Sequence, residues 1–132
     1  MNYLLDTHAI IWALSDRGKL SNSVLDIMSD ENNLIYASSI SFWEISLKFS
    51  IGKLKINGIL PNELPELILE QGFDTISLTP EESSSSYKLT LYDHKDPFDR
   101  MLIWQAINRN LILVTKDDNL QQYKIDGLKT LW

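Results

Sequence analysis

Leu111-Ile112-Leu113-Val114, running directly into Thr115-Lys116-Asp117-Asp118, decides how the rest of the chain is read. Four consecutive apolar residues with no polar alternation fit a strand buried on both faces, the pattern of a parallel sheet rather than of a solvated edge. Working outward, an apolar helical segment, Met101 to about Arg109, precedes this strand, and a last short strand, Leu128 to Leu131, follows it. Earlier short apolar runs at Asn2–Leu5, Leu34–Ala37 and Phe73–Ser77 are each followed by a helical pattern. Strands that alternate with helices need crossover connections, and these place helices on both faces of the sheet. The expected fold is therefore an α/β three-layer sandwich with a mainly parallel central sheet. At 132 residues the chain fits one domain, 1–132.

Local signals set the helices. Asp6-Thr7 opens one that stops near Gly18, and Ser21 or Asn22 caps a second, reaching about Met28 with Val24, Leu25 and Met28 on one face. From Ser38 or Ser39 a third carries Ile40, Glu44, Leu47 and Ile51 on one stripe, with Trp43 beside it. A fourth spans about Asn62 to Gln71, ended by Gly72. Thr79-Pro80-Glu81-Glu82 reads as cap, first position and acidic first turn of a fifth, which crosses the run Ser83 to Ser86 and is expected to pack Tyr87, Leu89 and Leu91 inward. Asp96-Pro97 starts the sixth, with Asp96 as cap and Asp99 at the third helical position.

Composition narrows the chemistry. There is no cysteine, which removes disulfides, thiolate metal sites and thiol nucleophiles, and the only histidines are His8 and His94. A metal centre would have to be built mainly from oxygen. The net charge of −6 argues against a broad basic face that coats nucleic acid, although carboxylates gathered on a divalent cation can still receive phosphate. No apolar run approaches a membrane span and no basic leader precedes the first strand, so a cytoplasmic protein without a membrane partner is expected.

In open α/β sheets ligands collect beyond the carboxyl ends of the strands. Asp6 follows the first strand, Glu44 lies in the first turns of the helix after the second, and Asp117 comes three residues after Val114; Asp99 heads the sixth helix. Each has a plain alternative. Asp6 can cap its helix, Glu44 can close a capping box with Ser41, Asp99 one with Asp96, and Asp117 competes with Asp118 for a cap. Taken together, four carboxylates at one sheet edge would repel one another without a cation, and all-oxygen ligation suits Mg²⁺ or Mn²⁺ in phosphodiester hydrolysis. Arg100, Lys116, Lys48 and Lys95 are candidates to meet phosphate, with solvated surface charge as their default, and His8 and His94 are peripheral candidates. Nucleotide-binding alternatives lack their glycine-rich loops.

Four blocks, Leu4-Leu5-Asp6-Thr7-His8, Ser41-Phe42-Trp43-Glu44-Ile45, His94-Lys95-Asp96-Pro97-Phe98-Asp99-Arg100-Met101-Leu102 and Leu113-Val114-Thr115-Lys116-Asp117, stand in an order and spacing that resembles a PIN-domain protein, specifically the VapC-type toxins of type II toxin–antitoxin modules. The resemblance spans nearly the whole chain. It implies a Mg²⁺- or Mn²⁺-dependent endoribonuclease, usually a homodimer, silenced by a cognate antitoxin whose tail enters the acidic site. By the same resemblance Asp6, Glu44 and Asp99 look like core metal-binding acids, Asp117 a more variable fourth and Asp96 an auxiliary acid. Thr115 resembles the small hydroxyl residue before that fourth position, with Thr7 and Arg100 as further auxiliaries. Two rivals stand beside it: a catalytically silent α/β interaction module, and a nuclease directed at DNA.

Overall fold

A computed structural model describes all residues, 1–132. Five strands, β1 (Asn2–Leu5), β2 (Leu34–Ser38), β3 (Asp74–Ile76), β4 (Ile112–Val114) and β5 (Lys129–Leu131), form one sheet in the order β3-β2-β1-β4-β5. Every neighbouring pair is parallel, with Leu4 opposite Tyr36 on one side and Leu113 on the other. Six α-helices connect them: α1 (Thr7–Ser15), α2 (Asn22–Ser29), α3 (Ser39–Ser50), α4 (Leu64–Glu70), α5 (Pro80–Ser85) and α6 (Pro97–Asn108). A 3₁₀ segment, Asp118–Asp126, joins β4 to β5 and ends at Gly127, whose φ of 102° lies in the left-handed region.

Alternation along each strand divides the core. Tyr3, Leu5, Ile35, Ala37 and Val114 point to one face, where Ile10 of α1, Val24 of α2 and Ile68 of α4 cover them. Leu4 and Leu113 point to the other, against Leu102, Ile103 and Ala106 of α6 and Tyr123 of the 3₁₀ segment. Each fully buried Leu or Ile contributes roughly 1.5–3 kcal/mol, which fixes the register because a one-residue slip would exchange the two faces. The predicted three-layer α/β sandwich is the observed architecture.

Two expected packing faces are only partly buried. On α3 the buried residues are Ile40, Ser41, Glu44 and Ile45, while Trp43, Leu47 and Ile51 are exposed. The N-terminal half of the stripe, Ile40 and Glu44, faces inward as read, with Glu44 and Ser41 meeting Thr7 of α1, while the C-terminal half, Leu47 and Ile51, runs past the core into solvent. In the serine-rich stretch only Leu89 is buried; Tyr87 and Leu91 are exposed. There α5 gives way to a 3₁₀ turn at Ser86, and the change of period swings Tyr87 away from the core. The Thr79–Glu82 capping box is present as read.

Strand order places the site. From β1 the chain moves outward to β2 and β3, then returns to the far side of β1 for β4 and β5, so the direction reverses between β1 and β4. At that switch point the strand ends diverge and leave a crevice at their carboxyl edge. The Asp6 amide donates to the Val114 carbonyl at 3.0 Å, holding the two exits together.

Candidate metal centre

Asp6, Thr7, His8, Glu44, Lys48, Asp96, Asp99, Thr115, Asp117 and Leu120 line one small pocket at this edge. Ten residues from four separate stretches of sequence thus meet, and nine of them are polar. Asp6 caps its helix, as its position allowed, and also lines the pocket. One carboxylate oxygen accepts from the Ala9 amide at 2.8 Å and caps α1, leaving the other available to the pocket. Asp96 caps α6 by accepting from the Asp99 amide at 3.0 Å, and Asp117 caps the 3₁₀ segment by accepting from Asn119 at 2.9 Å.

Glu44 is only 4% exposed. The Thr7 hydroxyl donates to its Oε1 at 2.6 Å, and the Lys48 ammonium donates to its Oε2. Having spent its single proton on the carboxylate, Thr7 accepts from the Ser41 hydroxyl 3.0 Å away. Neither Ser41 nor Glu44 therefore takes part in a capping box, and Ser38 caps α3 instead. Removing the Thr7 hydroxyl leaves one buried acceptor, Glu44 Oε1, and one buried donor, the Ser41 hydroxyl, short of a partner. Thr7→Val is expected to cost about 1–2 kcal/mol of stability, read as a lower urea midpoint at neutral pH.

Asp99 faces the pocket from the first turn of α6. Contact between Trp43 of α3 and Phe98 of α6, ring centroids 5.0 Å apart, braces the two helices that carry Glu44 and Asp99. Burial, then the nearby charges of Asp96 and Glu44, push the Asp99 carboxyl up to about 6, against the opposing pull of His94. Asp6 is likewise raised by burial, with Glu44 adding to the effect and Thr115, Ala9 and His8 opposing it. Groups that would rather hold a proton than share a crevice as anions describe a site short of positive charge.

His94 emerges as more than peripheral. Its Nε2 lies 3.0 Å from Asp99 Oδ2, and His94, Asp99 and Asp117 offer ligand atoms that all fall within 4.8 Å of one another. Its place just ahead of the Asp96-Pro97 helix start was visible in sequence; that the chain folds back over Asp99 was not. Lys48, read as a candidate to meet phosphate, does line the pocket, but its partner is Glu44, a pairing signalled by their spacing of four on one helix face.

Other candidates fall outside. Arg100 turns away, with Nη1 donating to the Thr90 carbonyl and the Tyr123 hydroxyl and Nη2 to the Leu89 carbonyl. It ties the approach loop to α6 and cannot meet phosphate at the acids. Lys95 lies beside Arg100 in a separate shallow depression, and the Lys116 ammonium stands 5.9 Å from the Trp12 ring. Thr115 is buried beside Asp6 and accepts from the Asp117 amide at 3.1 Å, so the loop bearing the fourth acid is braced by the residue before it.

The donor set fits a hard divalent cation: carboxylates from Asp6, Glu44, Asp99 and Asp117, with Asp96 alongside, in a pocket too polar and too small for an organic cofactor. The PIN domain family model matches residues 3–126, from the first strand to the end of the 3₁₀ segment. The chain belongs to the PIN domain family. A ribonuclease named VapC22 from Mycobacterium tuberculosis is 25% identical over 129 residues, 98% of this chain and 97% of that one. Two solved structures share the fold. VapBC2 from Rickettsia felis, bound to a DNA fragment from its promoter, superposes with a TM-score of 0.71 at 19% identity, covering 99% of this chain and 98% of the other. VapBC-1 from nontypeable Haemophilus influenzae gives 0.70 at 21% identity, covering 99% and 97%. In this PIN domain the acids stand at the switch point of the sheet, where the fold leaves room for a ligand.

Proposed function

We propose that residues 1–132 form a single nuclease unit, a metal-dependent endoribonuclease that acts as the toxin of a type II toxin–antitoxin pair. The observation that carries this reading is the convergence of Asp6, Glu44, Asp99 and Asp117 on one pocket from four stretches of sequence. Membership of the PIN domain family and the likeness to a ribonuclease over nearly the full length support it. A catalytically silent interaction module would leave the raised Asp6 and Asp99 without a purpose, since caps and surface charge do not require them to crowd.

Mg²⁺ or Mn²⁺ bound there would supply an activated water for attack on phosphorus and positive charge for the developing phosphorane oxygens. Asp6, Glu44, Asp99 and Asp117 are the residues that would hold it. Thr7 fixes the rotamer of Glu44, Thr115 braces Asp6 and Asp117, and Asp96 keeps the start of α6 in place while adding negative charge. His94 sets the orientation of Asp99 through its 3.0 Å contact with Oδ2. RNA is the proposed substrate and a DNA-directed nuclease the second reading; incubation with both polymers separates them.

A cognate antitoxin and a second copy of the chain are the proposed partners, in the cytoplasm. Trp43, Leu47 and Ile51, a turn apart along α3, expose apolar surface that a protein partner would cover. No helix is long and apolar enough to cross a membrane. The test is Asp6→Asn. Cleavage of RNA in Mn²⁺ or Mg²⁺ should be lost with the circular dichroism spectrum unchanged, and full activity in the variant would contradict the assignment.

A further inference from the structure

The acid pocket contains its own cation. Among its lining residues Lys48 alone carries a permanent positive charge, set against Asp6, Glu44, Asp96, Asp99 and Asp117. Its ammonium is bonded to Glu44 Oε2 while the Thr7 hydroxyl occupies Oε1, so both oxygens of the deepest carboxylate are already engaged. The two partners are not equivalent. Thr7 is buried on α1 and neutral, and an oxygen that accepts its proton retains a lone pair for a metal. Lys48 carries full charge on a flexible four-carbon stem, with its side chain 39% exposed, and an open route leads out to solvent. A divalent ion arriving at Glu44 would repel the ammonium and leave the hydroxyl in place.

We infer that Lys48 is an internal counter-ion that competes with the divalent metal for Glu44, stabilising the metal-free pocket and setting the free metal concentration at which the pocket fills. This rests on the proposed metal-dependent nuclease and adds a determinant of its regulation. An ordinary surface pair four apart on a helix contributes little to stability and nothing to ligand binding. Here one partner is only 5% exposed and faces the site, so the pair must open before Glu44 can serve as a ligand through Oε2. The charges of Asp96 and Asp99 reach the same ammonium and hold it at the pocket in the absence of metal.

Calorimetric titration of the full chain with Mn²⁺ at pH 7.5 tests this. Lys48→Met should bind Mn²⁺ about tenfold more tightly than wild type, the scale expected when one charge-assisted hydrogen bond to Glu44 no longer has to open before the ion binds. Its metal-free melting temperature should fall, because five acids then lack their counter-charge. In a Glu44→Gln background the same substitution should change Mn²⁺ affinity by less than about twofold, since the contested ligand is gone. Lys48→Gln, a closer match to a solvated side chain, supplies the comparison if the methionine variant folds poorly. Equal or weaker Mn²⁺ binding by folded Lys48→Met or Lys48→Gln overturns the competition. Failure of the wild type to bind Mn²⁺ at all overturns the metal-centre reading itself, and the two results are distinguished by the wild-type titration.

Discussion

Asp99→Asn is expected to abolish nuclease activity and, in metal-free buffer at neutral pH, to make the protein more stable. The carboxyl is pushed up to about 6 by burial and by the charges of Asp96 and Glu44. Between about pH 4 and 6 the folded protein therefore holds a proton that the unfolded chain has released, and stability falls as pH rises through that window. Above it the full penalty of an ionised Asp99 is present. An upward shift of about two units corresponds to ~3 kcal/mol. With the side chain 31% exposed, solvent screening leaves roughly half of that. Asparagine cannot ionise, so the variant should melt about 5 °C higher than wild type at pH 7.5 without metal and should lose the downward slope between pH 4 and 6. The same change removes a ligand for the cation, and loss of several kcal/mol of transition-state stabilisation predicts at least about a 10³-fold drop in RNA cleavage. Differential scanning calorimetry across pH, with and without EDTA, together with a cleavage assay, reads both effects. A variant that is less stable than wild type at pH 7.5 would show that Asp99 is a structural cap and not a carboxylate held for a metal.

Glu82→Ala should do the opposite, unfolding the protein more easily while leaving the pocket able to bind metal. Glu82 is 8% exposed and accepts from Arg109 Nε and Nη2, both at 2.8 Å, and from the Thr79 amide at 3.0 Å. Arg109 also donates to the Ser77 carbonyl at 2.8 Å, so one ion pair joins the end of α6, the start of α5 and the exit from β3. Burial works against the Glu82 charge, but the Arg109 guanidinium, the Thr79 amide and Gln105 outweigh it and lower the carboxyl to about 2. Removal leaves a partly buried guanidinium without its partner, at a cost of about 3 kcal/mol and a melting temperature lower by about 10 °C. The sign with pH is the reverse of that for Asp99. The stabilisation is complete above about pH 4.5 and is lost as pH falls from there towards 2, so the gap between wild type and variant should close in acid. Unchanged Mn²⁺ affinity in Glu82→Ala would separate this scaffold pair from the pocket acids.

The contrast between these two glutamate and aspartate positions explains what could be read from sequence. Strands such as Leu111–Val114 are legible because burial on both faces leaves no polar alternation, and caps such as Ser21, Thr79 and Asp96 are legible because they satisfy local backbone donors. The four acids could be assembled from their positions after strands, because a parallel sheet brings its carboxyl ends to one edge. Packing faces were harder. On α3 the spacing of Ile40, Glu44, Leu47 and Ile51 suggested one buried stripe; Ile40 is buried and Glu44 is held inside by the bond from Thr7, but Leu47 and Ile51 lie outside. That bond joins residues 37 apart, and nothing local announces it. Arg100 fails for a similar reason: its place beside Asp99 suggested phosphate, yet the carbonyls of Leu89 and Thr90, reached only through the fold of the approach loop, claim its guanidinium. His94 and Lys48 show the converse, where side chains with an ordinary surface reading acquire a role from what the fold brings beside them.

The most direct test of the central claim is an anomalous difference map from crystals equilibrated with Mn²⁺. The predicted result is a peak in the crevice between β1 and β4, within coordination distance of carboxylates from Asp6, Glu44 and Asp99, with Asp117 at or near it. A protein that cleaves RNA in Mn²⁺ yet shows no peak there, or a peak bound by other residues, would contradict the assignment of this pocket as the metal centre.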